Sequence, residues 1–288
     1  MIWGVNIHRS YVHLTSSEVV YLAQSLGLTS VRVDVYEADP ATIAYLHALL
    51  NVAEPLGLSI LPVLVEPNIA ATGSERDTYR WGLLVAQALA RALPAIRQWE
   101  AGNELDLRCG IPGNTGEDPS HFDNAKYALC RGAIRGMYEG FKAGGGARVE
   151  VGVNIAGRSF GFLERLRRDR VQWDLTTWHI YINSGTSAAM IATGAETYFA
   201  RLASYGKPIS ITEFNQQDGH LSTRSPQTLL DMMTAIEASA ASRQIISAYI
   251  YELLDEPHLM GGEATYGIAN TFGVLNRLGT AVKARLVR

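Results

Sequence analysis

Short apolar runs and longer amphipathic stretches alternate along the whole chain. The short runs are IWGVNIH (2–8), SVRVDVY (30–36), SILPVLVE (59–66), IRQWEAGNE (96–104), RVEVGVN (148–154), WDLTTWHIYI (173–182), PISITEF (208–214) and IISAYIYEL (245–253). Their β-branched content and length predict strands, eight in all. Between them, apolar positions recur at helical spacing in SSEVVYLAQSLG (16–27), ATIAYLHALLNVAEPLG (41–57) and DTYRWGLLVAQALARAL (77–93). The same spacing runs through AKYALCRGAIRGMYEGFKA (125–143) and PQTLLDMMTAIEASAAS (226–242). Thr15 or Ser16 is placed to cap the first helix with Glu18 in its first turn. Gly27 and Gly57 are placed to end theirs. The triplet Gly144–Gly146 reads as a turn, and 105–120 reads as the longest irregular loop.

Eight strand–helix units in 288 residues average about 36 residues each, which fits a closed (β/α)8 barrel better than an open doubly wound sheet. The expectation is a single domain over 1–288. No G-x-G-x-x-G follows the first strand, so the dinucleotide-binding fingerprint is missing.

Composition narrows the function. Net charge is −3, and the 25 Lys and Arg are scattered rather than gathered in a stripe. A nucleic-acid-binding face is therefore not expected. No apolar run reaches the roughly 18 residues that span a bilayer. The opening MIWGVNIH reads as a strand rather than a leader, which leaves cellular location open, as is oligomeric state. Two cysteines, Cys109 and Cys130, make no framework, and their pairing cannot be read from spacing.

In a (β/α)8 barrel the site lies at the C-terminal ends of the strands, so those ends carry the candidate chemistry. Strand one ends in Asn6 and His8. Strand two offers Arg32, Asp34 and Tyr36 on one face. Strands three and five end in Glu66 and Asn154. Strand four ends in Asn103 and Glu104, and strand seven in Glu213. Strand six carries Trp178, His179 and Tyr181, with Trp178 facing the outer helices. Strand eight carries Tyr251, Glu252 and, just beyond, Asp255. Glu104 and Glu213 lie three units apart, across the mouth from each other. Two carboxylates facing one cavity can divide the work of glycosidic cleavage: one protonates the leaving oxygen, and the other attacks or activates water.

WEAGNE on strand four and KPISITEFN on strand seven resemble the clan A glycoside hydrolases, retaining enzymes on a (β/α)8 barrel, and within them family thirty-nine and family five. The resemblance implies Glu104 as acid/base and Glu213 as nucleophile. It implies that Arg32 and Tyr181 hold the nucleophile ionised and oriented, that His179 belongs to the site, and that Asn103 contacts the sugar 2-hydroxyl. It implies a carbohydrate substrate and needs no metal or cofactor. Two positions depart from the clan. Leu105 follows Asn-Glu where Pro is usual, and Tyr251 or Glu252 stands where a Trp commonly floors the sugar site.

Other readings compete. Glu104 and Glu213 could be rim carboxylates paired with Arg, and Arg32 could be a buried partner of Glu100. His8 could contact substrate or simply bond neighbours, His179 could be a satisfied core histidine, and Glu252 and Asp255 could bind sugar hydroxyls or cap the final loop. At the level of function, the alternatives are a carbohydrate-binding barrel without activity and a transglycosidase. A metallohydrolase with His-x-His on strand one is disfavoured, because His8 and His13 are too far apart. A Schiff-base enzyme would need a strand-end Lys, and none of the four lysines is placed there. Loops 105–120, 214–225 and 254–273 are expected to set the sugar and the linkage.

Overall fold

The computed structural model describes residues 1–11, 13–66, 73–217 and 223–287. Eight parallel strands follow one another around a closed barrel in chain order. They are β1 (Ile2–Ile7), β2 (Ser30–Val35), β3 (Ser59–Leu64), β4 (Gln98–Ala101), β5 (Glu150–Ala156), β6 (Leu175–Ile182), β7 (Ile209–Gln216) and β8 (Ile245–Ile250). The described α-helices are α1 (Ser16–Ser25), α2 (Pro40–Ala53), α3 (Glu75–Ala92), α4 (Leu105–Cys109), α5 (Asn124–Gly145), α6 (Phe160–Arg168), α7 (Ala188–Ala203), α8 (Pro226–Arg243) and α9 (Arg277–Leu286). None of them is long and apolar enough to cross a membrane. The (β/α)8 expectation is met, with β1, β2, β3, β4 and β8 each ending before its apolar run does.

Contacts cluster in two units. One comprises 1–33, 48–60 and 180–288, the other 34–47 and 61–179. In the first, Gly4 is paired in register with Tyr249, and a Cβ on Gly4 would sit 2.3 Å from the Tyr249 ring. Glycine there admits a large ring against the backbone of the neighbouring strand. The buried Tyr249 hydroxyl lies 3.0 Å from Ser30 Oγ. In the second unit, Trp99 stacks on Phe141 at 4.7 Å, which fixes α5 over β4.

Local signals behave as their chemistry requires. Thr15 caps α1 in a reciprocal capping box with Glu18. Gly27 and Gly57 take φ of 78° and 72°, a region costly for residues with a Cβ. The Gly144–Gly146 turn is corrected: α5 runs through Gly145, and only Gly146 turns out of it. A Cβ on Gly144 would lie 2.5 Å from the Gln87 carbonyl oxygen, so this glycine serves helix packing. The 105–120 loop is also corrected. It opens with α4, closes with a 3-10 turn over Pro119–His121, and is pinned by an antiparallel bridge between Gly110 and Phe122. Cys109 and Cys130 are buried free thiols, and both Sγ atoms lie 3.4 Å from the Leu105 carbonyl oxygen.

Candidate active site

Glu213 sits on β7 at 6% exposure, and both of its carboxylate oxygens are held. Arg32 Nη1 donates to Oε1 at 2.8 Å, and the Tyr181 hydroxyl donates to Oε2 at 2.6 Å. The same Arg32 nitrogen donates to Asn6 Oδ1 at 2.7 Å. Asn6 and Arg32 are register partners on β1 and β2, so strand parity turns them to the same face. Asn6 is fixed in turn by donating to the carbonyls of Thr212 and Ile250, at 3.0 and 3.3 Å. Breaking a buried ion pair of this kind by removing one partner costs about 3–5 kcal/mol.

Glu104 lies just beyond β4 with φ 50° and ψ 41°, an uncommon left-handed conformation for a residue with a side chain. Its N–H donates to Asn154 Oδ1, at the end of β5, at 2.9 Å. Its Oε1 lies 2.9 Å from His179 Nδ1. The His179 side chain is fully buried while that of Glu104 is 29% exposed. The preceding Gly102 has φ 88°, and a Cβ there would lie 2.4 Å from Leu105 Cδ1. The Gly-Asn-Glu turn therefore requires glycine at 102, where both the positive φ and Leu105 leave no room for a Cβ.

Two further carboxyls support this turn. Glu66, 2% exposed, pairs with Arg108 at 2.6 Å and accepts from the Asn103 N–H at 3.4 Å. Burial pushes its pKa up to about 7, against the opposing pull of Arg108. Asp106 on α4 is fully buried and accepts from the Ala156 N–H at 3.2 Å. Burial raises its pKa to about 7, with bonds from Ser159 and Ala156 pulling down and the charge of Glu104 pushing up. Nothing in the sequence pattern marks Asp106, because its segment reads as loop.

The other expected residues take different places. Tyr251 joins Tyr181 and Tyr266 in a set of edge-to-face rings, with centroids 5.5–6.0 Å apart. Glu252 is fully buried. Its Oε2 lies 3.0 Å from His8 Nε2 and accepts from the Tyr11 hydroxyl at 3.2 Å. Trp178 is buried and donates to the Gly157 carbonyl at 2.7 Å, as its outward parity predicted. Tyr36 is 57% exposed just past β2, and Asp255 is half-buried with burial raising its pKa. Tyr11, Glu256, Tyr266 and Arg224 went unread. Arg224 is fully buried and binds the carbonyls of Thr265 and Tyr266, which anchors the segment presenting Tyr266. All four lie on loops, where no periodicity marks the inward side.

No protein-family model matches this sequence, and no curated protein matches it. Solved structures do match in fold. A β-glycosidase superposes with a TM-score of 0.73 at 14% identity, covering 99% of this chain and 96% of that one. A family 1 β-glucosidase from Thermotoga maritima gives 0.73 at 9% identity, with coverage of 99% and 96%. A family 5 xyloglucan-specific endo-β-1,4-glucanase from a metagenomic library gives 0.68 at 15% identity, with coverage of 96% and 89%. The clan A resemblance of WEAGNE and KPISITEFN is thus met at the level of the barrel: the chain has the fold of the family 1 and family 5 glycosidases.

Proposed function

We propose that the chain is a retaining glycosidase acting on a β-linked oligo- or polysaccharide, with Glu213 as nucleophile and Glu104 as acid/base. The observation that carries this reading is the double hold on Glu213. A carboxylate bonded through one oxygen to a buried guanidinium and through the other to a phenol has its charge offset and its orientation fixed. Those are the needs of a nucleophile that must meet an anomeric carbon along one line.

In the first step a Glu213 oxygen bonds to the anomeric carbon. The bond from that carbon to the leaving oxygen breaks, its electron pair goes to the oxygen, and Glu104 supplies the proton. In the second step Glu104 takes a proton from water. The water oxygen attacks the same carbon and Glu213 is released as a carboxylate. The contact between Glu104 and His179 suits this alternation, since an imidazole nitrogen can donate to the carboxylate or accept from the acid. Asn103, Tyr181 and Tyr251 are assigned to the sugar. His8, edge-on to Tyr251 at 5.7 Å, and the buried Glu252 stand behind that ring. Residues 1–288 act as one catalytic barrel. The β-glycosidase and endoglucanase neighbours support the substrate class through fold alone.

The test is turnover of a panel of aryl β-glycosides, with azide rescue of alanine variants. Glu213→Ala should be inactive until azide is added and then yield the α-glycosyl azide. Glu104→Ala should yield the β-glycosyl azide on substrates with good leaving groups. Wild-type turnover in Glu213→Ala contradicts the proposal. Binding of glycans by the wild type without any turnover favours a carbohydrate-binding barrel instead.

A further inference from the structure

We propose that His8, Glu252 and Glu256 form a binding site for a first-row divalent transition metal such as Mn2+ or Zn2+. The site is separate from the Arg32–Glu213–Tyr181 constellation and does not depend on the glycosidase reading. One ligand atom from each residue lies within 4.8 Å of the other two. His8 Nε2 is 3.0 Å from Glu252 Oε2 and 3.9 Å from Glu256 Oε2. Donors bound to one such ion at about 2.0–2.2 Å stand roughly 3–4.4 Å from each other, so small side-chain shifts suffice.

The donor chemistry selects the ion class. One imidazole with two carboxylates suits Zn2+ or Mn2+, whereas Ca2+ and Mg2+ prefer oxygen throughout. Two carboxylates, 0% and 5% exposed, face the His8 imidazole, and His258 Nε2 lies 3.9 Å from the other oxygen of Glu256.

An independent observation marks an unmet need. Glu252 Oε1 is buried and makes no hydrogen bond among the described residues. It belongs to the carboxylate whose other oxygen already touches His8. A buried acceptor left without a donor is costly, and a cation meets it.

The surroundings are built to aim the ligands. The Tyr11 hydroxyl donates to Glu252 Oε2 at 3.2 Å and accepts from the Leu254 N–H at 3.2 Å. Ser10 donates to Glu256 Oε1. Such outer partners orient metal-binding carboxylates. A cavity of about 160 Å³ lined by Ser10, Tyr11, Leu254 and Asp255 borders Glu256. Binding would displace any proton on His8.

The experiment titrates the chelator-stripped full-length chain with Mn2+, read by electron paramagnetic resonance, and with Zn2+, read by calorimetry. The expected result is one ion per chain with nitrogen hyperfine coupling from an imidazole. Glu256→Gln and His8→Asn should each weaken binding at least about tenfold. The proposal is overturned by weak multi-site binding without nitrogen coupling, or by undiminished affinity in folded variants. If either variant fails to fold, the nitrogen coupling in the wild type decides.

Discussion

Glu104 and Glu213 are the same residue type at similar strand ends, yet their neighbours divide them. Glu213 is held by a guanidinium and a phenol. Glu104 meets an imidazole and stays partly open. Tyr181→Phe removes a hydrogen bond to a charged oxygen, worth about 1.5–3 kcal/mol. The expected loss in kcat/KM is therefore roughly 10- to 100-fold, measured on a variant that unfolding in urea shows to be folded. Glu104→Gln should lower kcat by about 10²–10⁴ on poor leaving groups and far less on dinitrophenyl glycosides, because only the former need the proton. Asp106 makes a pH prediction. Its folded pKa of about 7 lies above the usual carboxylate value near 3.9. The folded state thus holds a proton that the unfolded chain gives up. That contribution is complete below the unfolded value and is lost as pH rises to about 7. Urea unfolding at pH 5.5 and 8 should show the wild type weaker at pH 8. Asp106→Asn should shrink that difference, and an unchanged difference would contradict the assignment. Arg32, His179, Tyr181 and Glu213 stand out in the sequence because residues on one face of a strand alternate, and Glu104 stands out only through the Asn-Glu that follows β4. Tyr11 and Glu256 do not, because loop residues follow no period, and neither does Asp106, because α4 is too short to show one.

At the scale of elements, the least legible feature is how α5 meets α3. Gly132, Gly136, Gly140 and Gly144 recur every fourth residue along α5. A Cβ on each would lie 2.1–2.5 Å from a backbone carbonyl oxygen of α3, at Glu75, Tyr79, Leu83 and Gln87 in turn. Two helices pressed backbone to backbone need a glycine ridge. In the sequence that ridge looks like poor helix propensity, and its last members look like a turn. Gly136→Ala places a methyl 2.1 Å from the Tyr79 oxygen. Overpacking of this kind costs about 1–3 kcal/mol or more. The expected outcome is a lower unfolding midpoint in urea, whereas an unchanged midpoint would mean that α3 and α5 part freely. Strand boundaries were read too long in β1–β4 and β8 for a related reason. The apolar pattern continues into the residues that line the mouth after ladder pairing has stopped.

For the molecule as a whole, the barrel was readable from the count and spacing of its units, since eight alternations of short apolar run and amphipathic helix leave few closed solutions. In (β/α)8 barrels generally, catalytic residues come from the C-terminal ends of several strands, which is how distant segments can contribute to one site. The sugar and linkage were not readable, because they belong to loops that vary without changing the fold. The central claim is that Glu104 and Glu213 work as a retaining pair, and the most direct test is their carboxyl-to-carboxyl distance in crystals of this chain. The account predicts about 5–5.5 Å. A separation of about 6.5–9.5 Å, the spacing of inverting enzymes, or either carboxylate turned away from the mouth, would contradict it.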